Sequence, residues 1–192
     1  MELVLVFILI IIPCFRTETN FNGSNCLIHN NRFQFEYLYS SVSKRDTKSV
    51  YLMPLKDVND FNQIRWSLIQ AGKKYDNQFY LKSSLFDDYL CASSNFDDLF
   101  LTRRIVNRLQ LINQNIIQLA ACRWKINKVD SKKTNNKYLI MNDFYKESLY
   151  AVSYIFQTKI KKREIFVTNM NYLRREKYEW IIDCQTGKYL IA

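Results

Sequence analysis

Three tryptophans divide this chain into near-equal thirds. They lie in "IRWSLIQ" (Trp66), "CRWKINK" (Trp124) and "YEWIIDC" (Trp180), 58 and 56 residues apart. Each follows a charged residue and precedes an apolar alternation, the mark of a half-buried strand. Other landmarks keep the same register. Asn22-Gly23, Asp76-Asn77 and Asn135-Asn136 are turn-forming pairs, and each precedes a strand: "CLIHNN", "FYLKSS" and "KYLIMN". Nine to eleven residues on come "EYLYSS" (Leu38), "DYLCAS" (Leu90) and "SLYAVS" (Leu149). A basic pair and an apolar run follow in "KRDTKSVYL", "RRIVNRL" and "KKREIFV", and then the tryptophan strand. One four-strand unit therefore occurs three times, at about 25–66, 81–124 and 139–180.

A single such unit cannot bury both faces of its hairpins, so the three must pack around a shared axis. Twelve strands arranged in this way predict an all-β closed barrel of six strands capped by three hairpins. Closure removes the unpaired edges that invite aggregation. The terminal "GKYLIA" opens like a fourth unit and is expected to seal the barrel beside the first strand. Ile105, Leu109, Ile112, Ile116 and Leu119 instead step by 4, 3, 4 and 3, a helical rhythm. Strand followed by a helical turn within 110–121 reconciles the two patterns; a helix over 103–120 in an α+β fold is the alternative.

The beginning of the chain sets the compartment. "MELVLVFILIIIP" carries an apolar run from Leu3 to Ile12, too short to span a bilayer and suited to a secretory leader. Glu2 stands where such leaders usually carry positive charge. Thr17 and Thr19 fit the small residues before a cleavage site, so residues 1–19 are read as signal peptide and 20–192 as a single domain. Cys14 leaves with the leader. Cys26, Cys91, Cys122 and Cys184 remain, an even number that predicts two disulfides outside the cell. Three connectivities are open. Cys26 opens the first unit and Cys184 closes the third, which favours Cys26–Cys184 with Cys91–Cys122. Asn22-Gly23-Ser24 is an N-glycosylation sequon.

With 48% hydrophobic and 15% aromatic residues the chain has the material for a core. Its formal charge of +10 favours anionic partners. Removing residues 1–19 leaves 27 basic and 16 acidic residues, or +11. The basic pairs Lys44-Arg45, Arg103-Arg104 and Lys161-Lys162-Arg163 are the candidate ligand-binding residues. Threefold placement would gather them at one end as a cationic ring able to hold sulfate or phosphate groups. The alternative is three separate solvated turns. Arg174, Arg175 and Lys177 add charge before Trp180.

Catalysis finds little to work with. His29 is the single histidine, read as a partly exposed residue after the first strand. Asp87-Asp88 and Asp97-Asp98 are adjacent pairs that point to opposite faces if they lie on strands. There is no C-x-x-C, P-loop, G-x-S-x-G, H-E-x-x-H or dinucleotide fingerprint. No catalytic residue, metal site or cofactor is expected.

The strands "EYLYSS", "DYLCAS" and "SLYAVS", the basic pairs after them and the three tryptophan strands resemble the β-trefoil proteins over about 25–191. Within these the chain is similar to ricin-B-like modules and to secreted insect β-trefoil proteins, including the low-molecular-mass haemolymph lipoproteins. The resemblance implies a β-trefoil domain and a lectin-like role. The ricin-type Gln two residues before the tryptophan is replaced by Ile64, Cys122 and Tyr178. The sugar-holding aspartate has no counterpart across the units, and there is no room for the helical domain of the insect lipoproteins. The expected protein is thus a secreted, monomeric, non-enzymatic module that binds glycan, another anionic surface or a protein. Neither nucleic acid nor a membrane span in the mature form is expected. A structural or carrier protein of extracellular fluid is the alternative.

Overall fold

The computed structural model describes residues 23–42, 48–72, 75, 77–93, 108–112, 120–129, 136–155, 162–170 and 172–184. They form twelve antiparallel strands, four to each tryptophan unit. The first unit holds β1 (Gly23–Asn30), β2 (Glu36–Val42), β3 (Lys48–Pro54) and β4 (Arg65–Gln70). The second holds β5 (Gln78–Ser83), β6 (Tyr89–Ser93), β7 (Arg108–Ile112) and β8 (Arg123–Lys128). The third holds β9 (Lys137–Asn142), β10 (Ser148–Ile155), β11 (Arg163–Thr168) and β12 (Glu179–Cys184).

The first and fourth strands of each unit pair in a ring, β1–β4–β5–β8–β9–β12, and β12 returns to β1. The barrel is therefore closed by β12, whose Cys184 to Trp180 pair with Cys26 to Asn30. The sealing role expected of "GKYLIA" belongs to β12, and residues 187–192 lie outside the described part. The second and third strands form three hairpins, and β3 joins both β7 and β11 to link them into the cap. Arg108–Ile112 is strand and Ala120–Cys122 a 3-10 turn, so no continuous helix runs over 103–120.

Period-two alternation sends two hydrophobic side chains per barrel strand inward. Cys26 and Ile28, Trp66 and Leu68, Phe79 and Leu81, Trp124 and Ile126, Tyr138 and Ile140, and Trp180 and Ile182 are all buried in one cluster. Each tryptophan also has a polar task. Its indole N–H donates to the carbonyl of the repeating leucine in the same unit: Trp66 to Leu38 at 2.9 Å, Trp124 to Leu90 at 2.8 Å and Trp180 to Leu149 at 3.0 Å. The tryptophans thus fix barrel to cap, and each buried N–H is satisfied.

The units are pinned to one another by a second repeated set. The backbone N–H groups of Asn31, Ser84 and Asp143 donate to the carbonyls of Glu179, Arg65 and Arg123, the residues just before the tryptophans. Two residues further back, Lys177 and Ala121 accept from the Asn30 and Asn142 amides. At the remaining seam Ser83 donates to Ser40, which donates to Gln63. Asn77 and Asn136 hold positive φ where turn-formers are expected.

Candidate binding surface

Cys26 is bonded to Cys184 and Cys91 to Cys122. The first bridge joins β1 to β12 and locks the barrel seam. Gly23 packs against it so closely that a Cβ there would stand 2.8 Å from the Cys184 Cβ. The second is buried within the middle unit beside Tyr80 and Tyr89.

Of the predicted basic residues, Lys44, Arg45, Arg103, Arg104 and Lys161 lie outside the described residues, as does the sequon Asn22. The strands flanking them are described. Ser49 of β3 pairs with Gln110 of β7, and Leu52 of β3 with Arg163 of β11, so the three hairpins carrying the basic turns meet. Lys162 stands at one of these junctions. Its ammonium lies 5.2 Å from the Tyr51 ring centre and 5.9 Å from that of Tyr39. Those tyrosines are cross-strand partners, so both rings stand on one face of the first hairpin.

Arg163 does not belong with Lys162. It is 5% exposed, and its guanidinium grips Glu36 in a two-pronged ion pair at 2.6 and 2.8 Å. A third bond reaches the Val152 carbonyl, and the Phe33 ring lies 3.4 Å from the guanidinium carbon. It is a structural cation, unavailable to a ligand. The loop before Trp180 divides similarly. Arg174 is exposed, Arg175 pairs with Glu179 at 3.0 Å, and Lys177 is buried with its ammonium 5.8 Å from the Tyr150 ring.

His29 lies within β1 rather than after it, opposite Ile181, with its ring against Tyr37 and Nε2 3.5 Å from Asp183. Burial lowers its pKa, and the Asp183 carboxylate offsets only part of that. Asp87 and Asp88 sit in a turn, not on a strand: Asp87 has a positive φ and contacts Lys82, while Asp88 is buried. Asp97 and Asp98 lie outside the described residues.

The sequence reading missed a polar hub where the second and third units meet. Asp143 takes Arg123, Lys146 and the Gln78 amide. Burial pushes the Asp143 carboxyl up, but Lys146 and Arg123 outweigh it and hold the pKa below the ordinary value. Tyr75 lies under the Arg123 guanidinium at 4.3 Å. Among the described residues no three metal-ligating side chains come together, and no helix is long and apolar enough to cross a membrane.

No protein-family model matches the chain, and no curated protein matches it in sequence. Solved structures do. A salivary protein from Culex, of a cysteine- and tryptophan-rich family, is 18% identical with a TM-score of 0.55, over 83% of this chain and 92% of that one. The protein SeviL, solved bound to the asialo-GM1 saccharide, is 12% identical with a TM-score of 0.54, over 84% and 98%. The O-mannosyltransferase complex Pmt1–Pmt2 of S. cerevisiae, solved with its sugar donor, gives 12% identity and a TM-score of 0.63 over 84% of this chain. This chain spans only 25% of that one. Likeness at such identities speaks for architecture alone, and together with the closed ring, the hairpin cap and the threefold tryptophan bonds it gives this chain the β-trefoil fold.

Proposed function

We propose that the chain is a secreted, non-enzymatic binding module whose ligand is a glycan or another anionic surface. On this reading residues 1–19 direct export and 20–192 form the single working domain. The ligand is held at the cap, by Lys44, Arg45, Arg103, Arg104, Lys161 and Lys162. The carrying observation is the meeting of β3 with β7 and β11, the strands that the three basic turns precede. Arg163 is left out because Glu36 already neutralises it. The two disulfides suit an oxidising compartment. SeviL, similar in fold over most of both chains, was solved with a saccharide bound; here the net charge turns the preference toward anionic ligands.

Retention on heparin and binding to a glycan array, at low and at physiological salt, test this. Salt-sensitive binding is expected, with loss on charge reversal of Arg103, Arg104, Lys161 and Lys162. No retention at about 0.15 M salt, where the Debye length is about 8 Å, overturns the electrostatic reading.

A further inference from the structure

The three seams between units are equivalent in backbone but not in side chains. The residue after each tryptophan and the residue whose N–H donates the seam's backbone bond lie diagonally across the strand pair, not opposite one another. At the second seam they are Lys125 and Asp143, and at the third Ile181 and Asn31. At the first they are Ser67 and Ser84. Two serines stand where the sister seams carry larger side chains, and both line an open cleft of about 440 Å³. This falls within the ~300–1,000 Å³ of ligand clefts.

Ser24, Ser67 and Ser84 line the cleft, together with Gly23 and the ion-paired Lys82 and Asp87. Hydroxyls that both donate and accept, beside a donor and acceptor held together as an ion pair, match the alternating hydroxyls of a sugar. The ion pair leaves the cleft without net charge, so an ionic ligand would bury charge there without compensation. The Gly23 wall is held against the Cys26–Cys184 bridge, so the cleft is formed in advance of any ligand.

We propose that this cleft seats a short uncharged saccharide. It is separate from the cationic cap and does not depend on it. Two sources could supply the same chemistry. Ser24 completes the sequon, and Asn22 is joined directly to Gly23, so a glycan on Asn22 is tethered one residue from the lining. A free saccharide is the other source.

The test is titration with N,N′-diacetylchitobiose, followed by the amide resonances of Ser67, Lys82 and Ser84 in the full secreted chain and in its Asn22→Gln variant. Saturable shifts at these amides are expected in Asn22→Gln, unchanged between low and high salt. Affinity should fall at least about tenfold, or 1.4 kcal/mol, in Ser67→Lys/Ser84→Asp. Those side chains are the ones the second seam accommodates, and Ser67→Lys alone provides a milder variant. Retained heparin binding in both variants separates the cleft from the cap. Weaker binding by the glycosylated chain than by Asn22→Gln identifies the chain's own glycan as occupant; equal binding identifies a free saccharide. Absence of shifts in Asn22→Gln, or undiminished affinity in folded Ser67→Lys/Ser84→Asp, overturns the proposal.

Discussion

Arg163 illustrates how a residue type misleads when its strand position is ignored. It follows Lys161 and Lys162 in a run that reads as one basic turn, yet it opens β11 and shares the inward face with Ile165 and Val167. That period-two pattern was present in "REIFV" and would have placed Arg163 inside. Glu36, its partner 127 residues away, was not legible, because nothing local ties the two together. An ion pair this buried is costly to break, since the surviving charge stays desolvated. Glu36→Ala is therefore expected to lower unfolding stability by about 3–5 kcal/mol. The double change Glu36→Ala/Arg163→Met removes the stranded charge and should recover much of that loss. Denaturant titration of the two variants decides it; a double variant no more stable than the single would mean that packing, not charge, dominates the site.

Among the elements, the four-strand unit was the most legible part of the molecule. Trp66, Trp124 and Trp180 marked the fourth strands, and Leu38, Leu90 and Leu149 the second. What alternation could not show is that these two markers bond to each other, indole to carbonyl, in every unit. The pins between units were hidden for a different reason. Two of them use asparagine, but the seam at Ser83 reaches Gln63 through Ser40, so the three positions share no residue type. This difference has an energetic consequence. Asn142 donates to the Ala121 carbonyl and its own oxygen accepts from the N–H groups of Phe144 and Tyr145, all from a buried position. Asn142→Ala strands several of these groups at about 1–3 kcal/mol each. Ser83→Ala removes one donor, leaving only the Ser40 oxygen without it, and Ser40 stays bonded to Gln63. Asn142→Ala should thus be the more destabilising in thermal unfolding, and the reverse order would show that the serine relay carries the seam.

At the scale of the whole molecule, closure explains both what the sequence revealed and what it concealed. Threefold repetition pointed to a shared axis, and the position of Cys26 and Cys184 at the two ends of the repeat favoured a bond across the seam. The cleft was illegible because its Ser67 and Ser84 stand where the second seam carries Lys125 and Asp143, a comparison that requires the seams to be superposed. The basic turns fall outside the described residues; of the strands that follow them, β3 pairs with both β7 and β11. Closure also predicts how the two disulfides differ. Cys26–Cys184 spans 158 residues and Cys91–Cys122 spans 31. On the chain-entropy account these loops are worth about 5 and about 4 kcal/mol respectively. The gap between the two bridges should be wider than that. Cys26–Cys184 holds β1 to β12, where a barrel drawn from one chain begins and ends, whereas Cys91–Cys122 lies within a unit that β5 and β8 already tie to both neighbours. Cys26→Ser/Cys184→Ser should therefore lower the melting temperature more than Cys91→Ser/Cys122→Ser. It should also raise hydrogen exchange first at the amides of β1 and β12. Equal melting temperatures, with exchange spread evenly over the barrel, would show that the hydrogen bonds of the seam close the ring without the covalent bond.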